Sequence, residues 1–175
     1  MKFNKIMMVA VVAFGMSSLA QAAPKEQGHG KVTFTGSIID APCSIASGSS
    51  DQTVELGQIS NVLLKSGGKS TAHAFKIELE GCEISEEADA KNKVTISFNG
   101  EVGAVVDRLG TGLGASIVIE DVNGPVKLAT ASKPQLLQNG DNTLNFSAYL
   151  QGDGASATIT EGKFTTTANF TLAYQ

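Results

Sequence analysis

The chain has 175 residues, 13 of them basic and 17 acidic, which gives a formal net charge of −4. That length fits one domain, at most with a small appendage. Nucleic-acid phosphates and anionic membrane surfaces are bound by clustered Lys and Arg, whereas this acidic chain has a single arginine, Arg108. We therefore expect neither nucleic-acid binding nor binding to a membrane surface.

Residues 1–22 are predicted to be a secretory signal peptide. Lys2 and Lys5 precede an apolar run at 6–15, and the sequence AQA at 20–22 is a small-x-small cleavage site. This run is too short for a membrane anchor, and no other apolar run is long enough to span a bilayer. We expect an exported, soluble mature chain without membrane insertion. Loss of the two lysines leaves 11 basic and 17 acidic residues, a net charge of 11 − 17 = −6.

The mature sequence is predicted to be all-β. Short alternating runs rich in Thr, Val, Ile and Phe are separated by Gly, Asn, Asp and Ser. The predicted strands are 31–40, 52–59, 73–81, 92–100, 115–122, 124–130, 142–152 and 164–174. A helical turn is predicted at 60–66 and a solvated acidic loop at 83–91. Many short strands at this spacing indicate a sandwich rather than a parallel α/β sheet.

Both ends of the mature chain have a two-residue alternation. In the last predicted strand one face carries Phe164, Thr166, Ala168, Phe170, Leu172 and Tyr174, and the chain stops one residue later. At the start, alternation carried back from Phe34 puts Val32, Gly30 and Gly28 on one side of an extended segment. Such a segment would fit a groove, with its glycines allowing close backbone approach. The alternative is an ordinary frayed terminus.

Two cysteines, Cys43 and Cys82, lie in the exported part of the chain. In an oxidising compartment they permit one intramolecular pairing, so we expect a disulfide. Closing this loop constrains the unfolded chain by about 4 kcal/mol on the entropic model. A metal site is disfavoured, because two thiols need two further ligands and the only histidines are His29 and His73.

Two short patterns mimic nucleotide-binding motifs. The stretch SGGKS at 66–70 has Leu63 where a phosphate-binding loop needs its first glycine. The stretch GTGLGA at 110–115 leads into an alternating β-branched run, whereas a dinucleotide site needs a following helix. Neither histidine has the spacing of a nucleophile–base pair or a metal site. The sequence therefore predicts no catalytic residues, no cofactor and no enzyme.

Several stretches together resemble pilins of the chaperone–usher pathway. The sequence GKVTFTGSIIDAPC at 30–43 resembles the start of the major rod subunits of P pili and mannose-resistant Proteus-like fimbriae. Tyr174 is the penultimate tyrosine of that family, and Gly162, fourteenth from the end, is the glycine of its C-terminal motif. The stretch 139–152 resembles the family's late strand. The resemblance covers essentially the whole mature chain.

The resemblance implies an incomplete immunoglobulin-like β-sandwich that lacks its last strand and is completed by a donor strand. It divides the chain into a signal peptide (1–22), a donor-strand extension (23–34) and a pilin domain (35–175). In the family a periplasmic chaperone first lends a strand to the open groove. At the outer-membrane usher the extension of the next subunit replaces it, which is a form of strand addition.

The resemblance also assigns residues to the two halves of this joint. The donor side chains would be those of Gly28, Gly30, Val32 and Phe34. The acceptor groove would be lined by Phe164, Phe170, Leu172 and Tyr174, with Gly162 where the strand begins. The disulfide would join the first strand to a neighbour. One departure is that 24–27 has no large apolar residue, although the family starts strand exchange near there.

A chain with both a donor and a groove forms head-to-tail contacts that do not close, so it builds a filament. The resemblance thus implies a repeating rod subunit of an adhesive surface fimbria, whose partners are copies of itself, other pilins, the chaperone and the usher. A minor linker pilin is the next alternative. A stand-alone secreted sandwich that binds a ligand such as a glycan is the alternative from another class, whereas an exported hydrolase would need a nucleophile–base pair that the sequence does not show. For a glycan binder the aromatics are few, since the chain has no Trp and two tyrosines.

Overall fold

The computed structural model of the chain describes residues 27–85 and 91–175. The predicted signal peptide and residues 86–90 of the predicted acidic loop lie outside the described residues. The chain divides into two compact units. The first ends at Ile38, and the second begins at Ile39. No helix within the described ranges is long and apolar enough to cross a membrane.

Described residues of the first unit, 27–38, form neither helix nor strand, and every one of them is exposed. Three large apolar side chains stand out: Val32 is 75% exposed, Phe34 89% and Ile38 104%. All three belong to the same alternating set. The prediction of a strand at 31–40 is wrong for the single chain, because a strand needs a neighbouring edge for its backbone hydrogen bonds and this segment has none among the described residues.

The second unit is built mainly of β-strands. These are β1 (Ser44–Ile45), β2 (His73–Cys82), β3 (Lys93–Gly100), β4 (Leu109–Gly110), β5 (Ala115–Asp121), β6 (Gly124–Val126), β7 (Gln135–Leu136), β8 (Gly140–Gly152) and β9 (Ala168–Tyr174). Two short helices, α1 (Ser47–Ser50) and α2 (Asn61–Leu64), lie between β1 and β2, and a 3-10 turn (Lys65–Gly67) follows α2.

The strands form two sheets, in which every pairing is antiparallel. The larger sheet has the order β1-β2-β8-β5-β4, with β6 also paired to β5, and the smaller sheet has the order β7-β3-β9. One buried cluster contains Ile77 from the larger sheet and Ile96 from the smaller sheet, at 0% and 1% exposure. The sheets therefore pack face to face as a sandwich.

Most predicted elements are confirmed. The runs at 73–81, 92–100, 115–122 and 142–152 form β2, β3, β5 and β8, and the helical turn at 60–66 contains α2. The run at 124–130 pairs only over β6, and the last run pairs only from Ala168 onwards. The prediction of a strand at 52–59 is wrong, because no described strand lies beside it, although Val54 and Leu56 still point inwards. The predicted Cys43–Cys82 disulfide is present.

Candidate strand-binding groove

Strand β9 forms one rim of an open groove. It pairs with β3 on one side, in a register that places Ile96 opposite Leu172 and Phe98 opposite Phe170. Its other side has no strand partner within the described ranges. From Phe164 to Tyr174 the even-numbered residues are half-buried and the odd-numbered ones exposed, as the sequence alternation predicts. The rim is thus an edge strand that is paired on one side and has an apolar inner face.

Residues 51–60 form the opposite rim. Val54 and Ile59 are half-buried and Leu56 is buried, and all three pack on the smaller of the two core clusters. Gly57 has a φ of +73°, a left-handed conformation that interrupts the two-residue alternation between Leu56 and Ile59. This segment has the composition of a strand, and no strand among the described residues pairs with it.

The floor of the groove is aromatic and aliphatic. Phe75 stacks on Phe146 at 5.4 Å between ring centroids, and Phe98 meets Phe146 edge-on at the same distance. Phe170 lies 6.4 Å from Phe98, which joins β9 to this cluster. The cavity between the rims has a volume of about 1310 Å³. A groove of this kind exposes apolar core that a folded sandwich normally covers.

One end of the groove, here called the α2 end, is tied by a side-chain hydrogen bond between the rims. Asn61 Nδ2 donates to Glu161 Oε1 at 3.1 Å. Beside this tie, Gly162 has no Cβ to fill the space, and a Cβ there would lie 3.5 Å from the Leu113 methyl groups. Thr166 Oγ1 also donates to the Gly110 carbonyl at 2.8 Å, which holds the start of the β9 rim to the body.

The other end of the groove, here called the disulfide end, holds the start of the first strand and the end of the last. Cys43 is bonded to Cys82, which pairs with Gly140 at the start of β8. Close by in the chain, Leu137 N donates to Asn92 O at 2.9 Å. The next residue, Lys93, exchanges backbone hydrogen bonds of 3.0 and 2.9 Å with Gln175.

The two rims therefore run in opposite directions. The segment from Cys43 to Asn61 passes from the disulfide end to the α2 end, whereas the segment from Glu161 to Gln175 passes back. Because every pairing in this structure is antiparallel, a strand added to β9 in the same manner would run from the disulfide end to the α2 end.

Tyr174 lies near the disulfide end with its hydroxyl buried. That oxygen has no hydrogen-bond partner among the described residues. Burial raises the pKa of Tyr174, because the phenolate is poorly solvated there. A buried hydroxyl without a partner costs stability, so Tyr174 carries a local penalty in the single chain.

The structure brings the predicted acceptor residues together and leaves the predicted donor residues apart from any strand. Phe164 and Phe170 line the cavity with Gly162, and Leu172 and Tyr174 continue the same face of β9. The four donor residues, Gly28, Gly30, Val32 and Phe34, are exposed. Sequence reasoning did not find the rim at 51–60 or the Asn61–Glu161 tie. The alternation of Val54 and Leu56 was the available signal for the rim, and nothing local signals the tie.

Comparison with known proteins identifies the family. Residues 32–175 match the family of fimbrial proteins. The chain is 59% identical over 180 residues to the fimbria A protein of Serratia marcescens, with 100% of both chains covered. It is 43% identical over 182 residues to the major MR/P fimbria protein of Proteus mirabilis, again with 100% of both covered. The chain belongs to the fimbrial protein family.

A solved structure supports the same assignment. The chain superposes with a TM-score of 0.78 and 35% identity on a chain from a chaperone–usher pilus structure concerned with rod uncoiling, covering 88% of this chain and 100% of that one. The predicted all-β, immunoglobulin-like class is confirmed by this likeness. Fimbrial proteins are structural subunits, which confirms that the chain is not an enzyme.

Proposed function

We propose that this chain is the repeating rod subunit of a surface fimbria and polymerises head-to-tail by donor-strand exchange. Residues 1–22 are removed on export, residues 23–34 are the donor extension, and residues 35–175 are the acceptor domain. The observation that carries this proposal is the open groove beside β9. The same chain has exposed apolar side chains at two-residue spacing, Val32 and Phe34, in its proposed donor extension.

The donor half of the joint needs apolar side chains that gain from burial. Phe34 and Val32 are 89% and 75% exposed, and complete burial of such side chains is worth about 1.5–3 kcal/mol each. Gly28 and Gly30 continue the same set and add no bulk, so the backbone of that part of the segment can approach the β9 rim closely. The alternate residues, including Lys31, face outwards in this arrangement.

The acceptor half supplies the matching surface. The inner face of the β9 rim, from Gly162 through Phe164, Phe170, Leu172 and Tyr174, offers apolar contacts to alternate donor side chains. The free backbone edge of β9 offers ladder hydrogen bonds, and these two contributions are what strand addition requires. An uncovered edge of this kind is an aggregation hazard, which supports a chaperone that covers it before assembly.

Charge also favours the pairing. The cavity lining contains Asp51, Glu55, Glu161 and Lys163, a formal net charge of 1 − 3 = −2. The described donor residues contribute Lys31 and no carboxylate between Gly28 and Phe34. Attraction between them assists docking and weakens as salt increases.

The rod assignment rests on two supports. The relatives include a major fimbrial protein, and the chain has both a donor and a groove, as a repeating unit must. The partners are then neighbouring copies, other pilins of the fimbria, a periplasmic chaperone and an outer-membrane usher. The assembled chain lies outside the cell as part of the fimbria.

Thermal melting of two periplasmic proteins tests the proposal. One consists of residues 35–175, and the other carries residues 23–34 appended after Gln175 through a flexible linker. We expect the first to aggregate or to melt at low temperature and the second to be a stable monomer. A matched control appends the same segment with Phe34→Ser and Val32→Ser, and it should lose most of the gain. A stable monomer of 35–175 that is unchanged by the appended segment would contradict donor-strand exchange.

A further inference from the structure

Two exposed apolar side chains lie at the α2 end of the groove and outside its cavity. Val62 is 66% exposed and Leu63 is 51% exposed, and neither lines the cavity. Their neighbours Asn61 and Leu64 do line it. Val62 and Leu63, here called the α2 tip, therefore face away from the groove, where a strand bound inside it would not cover them.

The α2 tip is held on a firm support. Leu64 is 4% exposed and anchors the helix in the smaller core cluster. The backbone carbonyl of Leu64 packs against Gly152 so closely that a Cβ at that glycine would clash with it. Ser60 caps the helix by accepting a hydrogen bond from Val62 N at 3.3 Å. The exposed apolar groups of the α2 tip therefore stand on an ordered support rather than on a fraying end.

The direction of the rims indicates what covers this surface. A donor strand that pairs antiparallel with β9 ends at the α2 end, and the body of the donating copy must begin there. Five residue steps, about 17 Å of extended backbone, separate Phe34, the last residue of the proposed donor extension, from Ile39. Ile39 is 58% exposed and begins the second unit, so it is the first large apolar side chain of the donating body beyond the groove.

We propose that the α2 tip is a docking surface for the body of the next copy in the fibre, and that it receives Ile39 in the segment 39–42 of that copy. This inference rests on the proposed donor-strand exchange and adds a second contact outside the groove. The apolar pairs are Val62 and Leu63 on one copy with Ile39 on the other. The contact fixes the angle between successive bodies, which the strand alone leaves free.

Site-specific photo-crosslinking in assembled fibres tests this contact. A photoreactive phenylalanine analogue replaces Leu63 in the full chain, expressed with its chaperone and usher. After irradiation we expect one dominant crosslinked peptide pair, joining position 63 to a peptide of another copy that contains Ile39. The matched control places the same analogue at Val106, an exposed valine in the loop before β4 (74% exposed). Its crosslinks to the Ile39 peptide should be about tenfold fewer, as burial of a single apolar side chain supports.

The outcomes separate this inference from the proposed function. If fibres form and position 63 crosslinks to no neighbour, or to a peptide without Ile39, the docking surface is wrong and donor-strand exchange is untouched. If the unsubstituted chain forms no fibre in the same strain, the proposed function falls and this inference with it. A second variant, Leu63→Lys against Val106→Lys, checks the effect on assembly, and only the former should shorten the fibres.

Discussion

The two sides of this sandwich have the same alternating sequence pattern but bury their inward-facing side chains to different extents. On the side of β2 and β8 the inward residues Ile77 and Leu79 are fully buried, at 0% exposure. On the side of β9 the inward residues, such as Phe170 and Leu172, are only partly buried. The difference teaches that alternation supplies an apolar face, while burial of that face depends on a neighbouring strand being present.

The largest expected effect comes from removing the disulfide at the disulfide end of the groove. Cys43→Ser together with Cys82→Ser should lower the free energy of unfolding by about 4 kcal/mol, because the loop between them is no longer closed in the unfolded chain. Urea unfolding of the protein with the donor segment appended measures this. Reduction of the unsubstituted protein is the control and should give a similar loss. A loss below about 1 kcal/mol would contradict the entropic account.

A pair of core truncations compares the two sides directly. Leu79→Ala on the closed side removes a fully buried side chain that does not line the cavity, and it should cost about 3–4 kcal/mol. Leu172→Ala on the open side should cost about 1–2 kcal/mol when the groove is empty, because its side chain is only partly buried. Urea unfolding with and without the appended donor segment provides the measurement.

Filling the groove should affect only one of these two costs. With the donor segment in place, the cost of Leu172→Ala should increase, whereas the cost of Leu79→Ala stays the same. Equal costs for Leu172→Ala in both states would show that the donor does not cover the β9 rim.

The smallest effects concern the two tyrosine hydroxyls. Tyr174→Phe should be neutral or stabilise by about 0.5–1 kcal/mol, since its buried hydroxyl has no partner among the described residues. Tyr149→Phe is the matched control and should cost about 1 kcal/mol. It removes hydrogen bonds of 2.7 Å to Glu120 and 3.2 Å from Lys69. Thermal melting at neutral pH distinguishes the two.

The same tyrosine gives an alkaline pH dependence. Burial raises the pKa of Tyr174 above the ordinary value of 10.0, so the folded state keeps a proton that the unfolded state loses. The stability is full below pH 10 and falls as the pH rises from there through the raised folded pKa. Tyr174→Phe should show a shallower loss of stability above pH 10. An unchanged slope would assign the dependence to Tyr149, whose pKa burial also raises.

The sequence predicts the paired strands well and the groove partly. β2, β3 and β8 follow from alternation, because each has a neighbour to complete its hydrogen bonds. The same reasoning fails at 31–40 and 52–59, where the pattern is present but no neighbouring strand lies among residues 27–85 and 91–175. A period of two cannot predict pairings as short as β4. Nor can it predict the Asn61–Glu161 tie, whose residues are 100 positions apart.

The opposite directions of the two rims have a mechanical consequence for the proposed fibre. A donor strand lying along β9 meets a pulling force parallel to its own axis, since the donor's body lies at the α2 end and the acceptor's own chain enters its body near Cys43 at the disulfide end. The backbone hydrogen bonds of the joint then share the load in shear and do not open one after another. A joint made only of non-covalent contacts thereby resists tension along the filament better than force applied across it.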